Sequence, residues 1–220
     1  KEPIFLDKDV LQADYTPESI PHRDEEINKM AGILAPCLRL NKPSNLFIYG
    51  KTGTGKTLSI KYVSSQLLDV ASQREIPLQI LYVNCKLKKV ADTEYRLIAQ
   101  FIKELGKSVP PTGLPTDEVY NIFYSTIDTK KQVLVLILDE IDQLVNKAGD
   151  GLLYNLTRIN SGLEKARVSI IGISNDLTFT NDIDPRVKSS LSEEELVFPP
   201  YNAIQLQDIL RRRSKKAFKK

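Results

Sequence analysis

The sequence predicts an α/β fold in which a five-stranded parallel sheet is flanked by helices. Four short runs carry most of that prediction: Leu46 to Tyr49, Ile80 to Val83, Val133 to Leu138 and Val168 to Ile173. They are apolar throughout rather than alternating, as strands buried on both faces are. A fifth, weaker run is Leu196 to Phe198. Between the runs lie apolar stripes at helical spacing: Ile60, Val63, Leu67 and Ala71; Tyr95, Ile98, Ile102 and Leu105; Leu152, Leu156, Ile159 and Leu163. Strands linked by helices over about a dozen residues or more pair in parallel, because an antiparallel pair needs only a tight turn.

Two segments interrupt this alternation. Pro110-Pro111-Thr112-Gly113-Leu114-Pro115 breaks the pattern, and Thr116, a plausible N-cap, then opens a stripe of Val119, Ile122, Phe123 and Ile127, which reads as an inserted helix. Pro199-Pro200-Tyr201 marks a second boundary, after which Ile204, Leu206, Ile209 and Leu210 begin a new amphipathic helix. Residues 1–200 are therefore expected to form one domain and residues 201–220 the start of another. Neither internal repeats nor low-complexity tracts are present.

With 41% hydrophobic and 27% charged residues the chain reads as an ordinary globular protein. It has no run of about eighteen apolar residues and no signal-peptide core, so the expected location is cytoplasmic, without membrane contact. Cys37 and Cys85 lack metal-ligand spacing and read as packed, reduced thiols. The net charge of +3 is unevenly spread, because the last ten residues alone contribute +7 and leave 3 − 7 = −4 for the remainder. Such a basic stretch meets phosphates in some proteins and is a solvated helix face in more.

The strongest motif is Gly50-Lys51-Thr52-Gly53-Thr54-Gly55-Lys56-Thr57, the full G-x-x-x-x-G-K-[ST] pattern between an apolar strand and an amphipathic helix. Its glycines let backbone N–H groups wrap a phosphate, and the helix that follows presents a partial positive end to the same anion. Gly50, Thr52, Gly53, Thr54, Gly55, Lys56, Thr57 and Leu58 are thus candidate ATP/ADP contacts, with Lys56 on the β- and γ-phosphates and Thr57 on Mg2+. The run Val133 to Leu138 leads straight into Asp139-Glu140, which supplies a metal-side carboxylate, Asp139, and beside it a base for the attacking water, Glu140. Asn175 follows the next strand, where an amide reaches the γ-phosphate or the water in one reading and merely occupies a turn in the other.

Together, Gly50 to Thr57, Asp139-Glu140 and Asn175 resemble the Walker A, Walker B and sensor 1 positions of a P-loop NTPase of the AAA+ type. Within that family Tyr15 to Ile27, Asp184 to Leu191 and Glu193 to Tyr201 are similar to the archaeal replication initiators related to the eukaryotic origin recognition complex and its Cdc partner. The resemblance implies an adenine pocket at Ile20, Pro21, His22 and Arg23, with His22 alternatively an exposed or capping side chain. It implies a DNA-contacting element from Pro110 to about Ile127, alternatively a plain surface hairpin. It places an arginine near a neighbouring subunit's nucleotide at Arg186, a contribution that can reach about a thousandfold in rate. Arg186 could instead pair with Asp182 or Asp184, and Lys188 competes for the same role. The implied partners are double-stranded origin DNA, the replicative helicase and other initiator subunits, with slow ATP hydrolysis. The family's chains continue into a helical lid with a sensor 2 arginine and then a winged-helix domain. The resemblance therefore implies that residues 1–200 are the nucleotide-binding domain and residues 201–220 the start of that lid, and a sequence ending at Lys220 is expected to lack the winged helix. A clamp-loader or helicase-loader subunit, or a nucleotide-gated module with little turnover, is the alternative.

Overall fold

A computed structural model describes residues 4–12, 15, 17, 19–87, 92–110, 112–181 and 183–219. Thr16, Glu18, Pro111, Asp182 and Lys220, invoked above, lie outside the described residues. Five parallel strands, β1 (Leu46–Tyr49), β2 (Leu78–Asn84), β3 (Gln132–Asp139), β4 (Ala166–Ser174) and β5 (Glu194–Val197), form one sheet in the order β2-β3-β4-β1-β5. The longest strands, β3 and β4, lie side by side in the interior of the sheet, and every residue of β3 is buried. Side chains alternate across the sheet. Val133, Val135 and Ile137 pack with helices α1 (Asp24–Leu34) and α2 (Lys56–Gln73), whereas Leu134, Leu136 and Leu138 face the opposite layer. That layer holds α3 (Glu94–Glu104), α4 (Thr116–Ile127), α5 (Ile141–Ala148), α6 (Gly151–Thr157) and α7 (Pro185–Leu191). Cys37 and Cys85 are free and wholly enclosed, and burial pushes each thiol up to about 12.

Four expectations change. First, β5 begins and ends earlier than Leu196 to Phe198, because an edge strand tolerates Glu194 and Glu195 pointing to solvent, although the Phe198 N–H still donates to the Tyr49 carbonyl at 2.8 Å. Second, the stripe from Leu152 to Leu163 is not one helix. After Thr157 the chain turns into a short 3-10 segment, Ile159–Gly162, and the Asn160 amide both donates to and accepts from the Val168 backbone at 2.8 Å. Third, Thr116 is the first helical residue rather than the cap; Pro115 precedes it with φ −56°, already suited to entering a helix.

Fourth, the inserted helix is not an appendage. Val119, Phe123 and Ile127 of α4 are fully buried against α3 and the sheet, so α3 and α4 form a packed hairpin whose exposed part is the tip around Thr112 and Gly113. Lys103 and Lys107 stand at that tip end. Lys130 and Lys131 follow the other end of α4, about 18 Å away along a helix of this length.

Helix α8 (Ala203–Ala217) starts from a capping box between Asn202 and Gln205. Its far end is clasped by the N-terminal segment: the Leu6 N–H donates to the Ala217 carbonyl at 2.8 Å, and Phe5 packs on Phe218 with ring centroids 5.0 Å apart. No helix among the described residues is long and apolar enough to cross a membrane.

Buried Asn45 ties the lower edge of the sheet together. Its amide accepts from the Ile170 N–H at 2.9 Å and donates to the Ser190 carbonyl at 2.7 Å, while its own N–H reaches Glu193 at 2.8 Å. Asn45→Ala strips partners from the buried Ile170 N–H and Ser190 carbonyl. It should lower the unfolding free energy by about 2–3 kcal/mol in a urea titration; a change below about 0.5 kcal/mol, the usual effect of a surface substitution, would mean the bonds carry no net stability.

Candidate nucleotide-binding site

The loop between β1 and α2 gathers at the C-terminal end of the strands, where an open parallel sheet places its ligands. Gly53 and Gly55 adopt left-handed φ of 80° and 90°, and a Cβ on Gly55 would sit 2.8 Å from the Tyr201 hydroxyl. A Cβ on Gly50 would fall 2.5 Å from the Phe198 carbonyl, so the start of the loop is pressed against the chain leaving β5.

Lys56, the first residue of α2, is only 5% exposed. Its ammonium donates to the carbonyls of Gly50 at 2.7 Å and Lys51 at 3.0 Å and to Asn175 Oδ1 at 2.8 Å. All three acceptors are neutral. Burial lowers its pKa, and the more distant charges of Asp139, Asp142 and Glu140 pull the other way. A buried cation without a direct anionic partner is costly unless an anion arrives from outside, and this one stands in a phosphate-wrapping loop.

Asp139 ends β3 and is 4% exposed. Its Oδ2 accepts from the Thr57 hydroxyl at 2.7 Å and from Tyr82 at 2.6 Å, and its Oδ1 accepts from the Glu140 N–H at 2.9 Å. The Thr57 hydroxyl and Asp139 carboxylate thus form a paired set of hard oxygen donors, which fits Mg2+, a cation content with one or two protein ligands. Tyr82 was not anticipated. Burial, and then its bond to Asp139, push its phenol pKa up, so it remains a donor. The available signal was a lone hydroxyl inside apolar β2, two residues before the Asn84 that pairs with Asp139.

Glu140 follows with left-handed backbone, φ 54° and ψ 48°, and begins α5. Its carboxylate lies 3.5 Å from the Lys86 ammonium. Asp142, two residues on, is buried and accepts from the Ser174 hydroxyl at 2.9 Å, which locks α5 to the end of β4 and so sets the position of Asn175.

These groups border a cavity of about 750 Å³. Thr52 to Leu58, Asp139, Glu140 and Asn175 line one side, Ile20, Pro21 and Tyr201 another, and Leu206, Ile209, Arg212, Arg213, Lys215 and Lys216 of α8 face them. Gly50, His22 and Arg23 stand outside the lining. Arg23, 3% exposed, turns into the body: it donates to the carbonyls of Thr54 and Pro199, pairs with Glu26 at 2.8 Å, and lies 4.0 Å over the Tyr201 ring. His22 Nε2 instead lies 2.9 Å from Asp208 Oδ2 on α8. A bond from Arg212, and then His22, hold the Asp208 carboxyl below the usual carboxylate range.

Arg186 is not brought to the cavity. It is 66% exposed on α7, engages Asp184 at 2.7 Å and lies 4.9 Å over the Tyr154 ring. Its bonds hold the Asp184 carboxyl down to about 2. Of the pairings weighed above, that with Asp184 is present.

The model of the AAA domain family matches residues 39–177. The ORC1-type DNA replication protein of Thermococcus onnurineus is 52% identical over 219 residues, covering 98% of this chain and 52% of that protein. The chain spans about half the length of the curated relatives it matches. Among solved structures, the Aeropyrum pernix ORC1 protein in complex with DNA superposes with a TM-score of 0.91 at 42% identity, over 100% of this chain and 56% of that one. The Aeropyrum pernix ORC2 protein, in ADPNP-ADP complexes, shares the fold at 21% identity and a TM-score of 0.80, over 99% of this chain and 58% of that one. The chain belongs to the AAA domain family, and over nearly its whole length it is similar to archaeal ORC1-type DNA replication proteins.

Proposed function

We infer that the cavity binds ATP or ADP with Mg2+, that it hydrolyses ATP slowly, and that the chain is the ATPase part of a replication initiator. One observation carries this reading: Lys56, buried and without an anionic partner, joins the Thr57–Asp139 pair and Asn175 in a single polar cluster beside the cavity. The backbone N–H groups of the loop and the N-terminus of α2 would take the phosphates, with Lys56 supplying the balancing cation. Thr57 and Asp139 would hold Mg2+, which neutralises phosphate charge when bound. Glu140 orients the attacking water and accepts its proton, while Asn175 reaches the γ-phosphate or that water. Ile20 and Pro21 pack against the base, with Tyr201 and α8 opposite; His22 and Arg23 position those walls.

Residues 1–200 are proposed as the nucleotide-binding domain and 201–220 as the start of a lid. Arg186 on α7, turned outward, is offered to a neighbouring initiator subunit, with Lys188 on the same helix. Double-stranded origin DNA and the replicative helicase are the proposed partners, consistent with the DNA-bound relative, and a cytoplasmic, nucleoid-associated location follows from them. A nucleotide-gated module with little turnover is favoured by a different observation, the engagement of Glu140 by Lys86.

Lys56→Ala should abolish binding of a fluorescent ATP analogue, because Lys51, the loop's other cation, lies outside the cavity lining and leaves the β- and γ-phosphate charge unbalanced. Undiminished binding would remove the site assignment. Glu140→Gln should leave ATP affinity near that of the parent and stop phosphate release, since the amide keeps the shape and loses the base. Equal loss of binding would make Glu140 structural or a metal ligand.

The hairpin tip is the proposed duplex contact, with Gly113, Leu114 and Pro115 small and apolar enough to meet a minor groove and two lysines beside them. Lys103→Ala combined with Lys107→Ala should weaken duplex binding and reduce the slope of log K against log salt by about 2, with nucleotide affinity unchanged. An unchanged slope would leave the hairpin as a packing element only.

A further inference from the structure

His22 is held where a side chain is awkward to hold. Its φ of 62° lies in the left-handed region, a conformation that costs a residue with a Cβ energy that glycine is spared. Such outliers persist where the surroundings fix them, and here the fixing partner is visible. The ring nitrogen Nε2 lies 2.9 Å from Asp208 Oδ2, across 186 residues of sequence. Pro21, immediately before His22, lines one side of the cavity; Leu206 and Ile209, either side of Asp208 on α8, line the other. Arg212, one turn further along α8, reaches the same Asp208 oxygen at 3.0 Å, so the carboxylate is steadied by its own helix and already aimed at His22. Among the described residues this is the one side-chain hydrogen bond that joins α8 to the sheet body.

We propose that the His22–Asp208 bond is a latch that holds α8 closed over a bound adenine nucleotide, and so sets how long the nucleotide stays. His22 is then a positioning residue that acts through α8 rather than by touching the base. The idea rests on the nucleotide reading of the cavity. Both partners are partly exposed, 30% and 36%, so the latch is a modest one: an exposed side-chain contact of this kind changes a rate by about two- to fivefold.

The test is stopped-flow displacement of N-methylanthraniloyl-ADP from the full chain in Mg2+ buffer, for the parent, His22→Gly, Asp208→Ala and the double variant. The glycine relieves the left-handed backbone, so His22→Gly should keep or raise the urea midpoint while speeding release, a combination that a purely structural role for His22 does not produce. Each single substitution should raise the dissociation rate about two- to fivefold, and the double variant should release no faster than the singles, because the second change removes nothing further. Dissociation rates equal to the parent's, or effects that multiply in the double variant, would overturn the latch with the nucleotide site intact. A parent chain that fails to bind the analogue at all would overturn the nucleotide reading and the latch together.

Discussion

One buried ammonium governs the arrangement of everything around it. Lys56 leaves water almost completely, yet its hydrogen bonds go to two carbonyls and an amide, none of them charged. That is tolerable only because three strand ends converge there. β1 delivers the loop, β3 delivers Asp139 and Glu140, and β4 delivers Asn175. The order β2-β3-β4-β1-β5 places these three strands side by side, and their shared direction makes their ends coincide. The apolar content of β3 and β4, which looks like generic core, is therefore what aims the polar cluster.

Much of this was legible in the sequence because the relevant signals are local. Uniformly apolar runs mark buried parallel strands, and a glycine-rich loop followed by Lys-Thr has a single structural context. The less legible parts depend on contacts distant in sequence. Asn160 ends a helix whose apolar stripe would otherwise continue, because it is committed to Val168. The packing of α4 was not legible for a similar reason: an amphipathic stripe after a proline-rich break says that a helix exists, not that α3 awaits it. Tyr82 joined the site through its neighbour strand and leaves no motif, and Arg23, named through the family resemblance, braces the loop through a carbonyl 31 residues away from outside the cavity lining.

Strain is placed with the same economy. The described residues include four non-glycine positions with left-handed backbone, and two of them, His22 and Glu140, flank the cavity. Each holds a charged or titratable side chain at an angle that a relaxed strand or helix end would not give it. The remaining two, Leu40 and Glu75, sit where α1 with its following turn and α2 come to a stop.

The clasp between Phe5 and Phe218 has a practical corollary. Residues 4–6 are a tether on the far end of α8, through the backbone bond from Leu6 to Ala217 as well as the tilted ring pair. Bulk or charge introduced at Phe5 would therefore bear on the helix that roofs the cavity, and nucleotide exchange would feel a change made at that helix's far end.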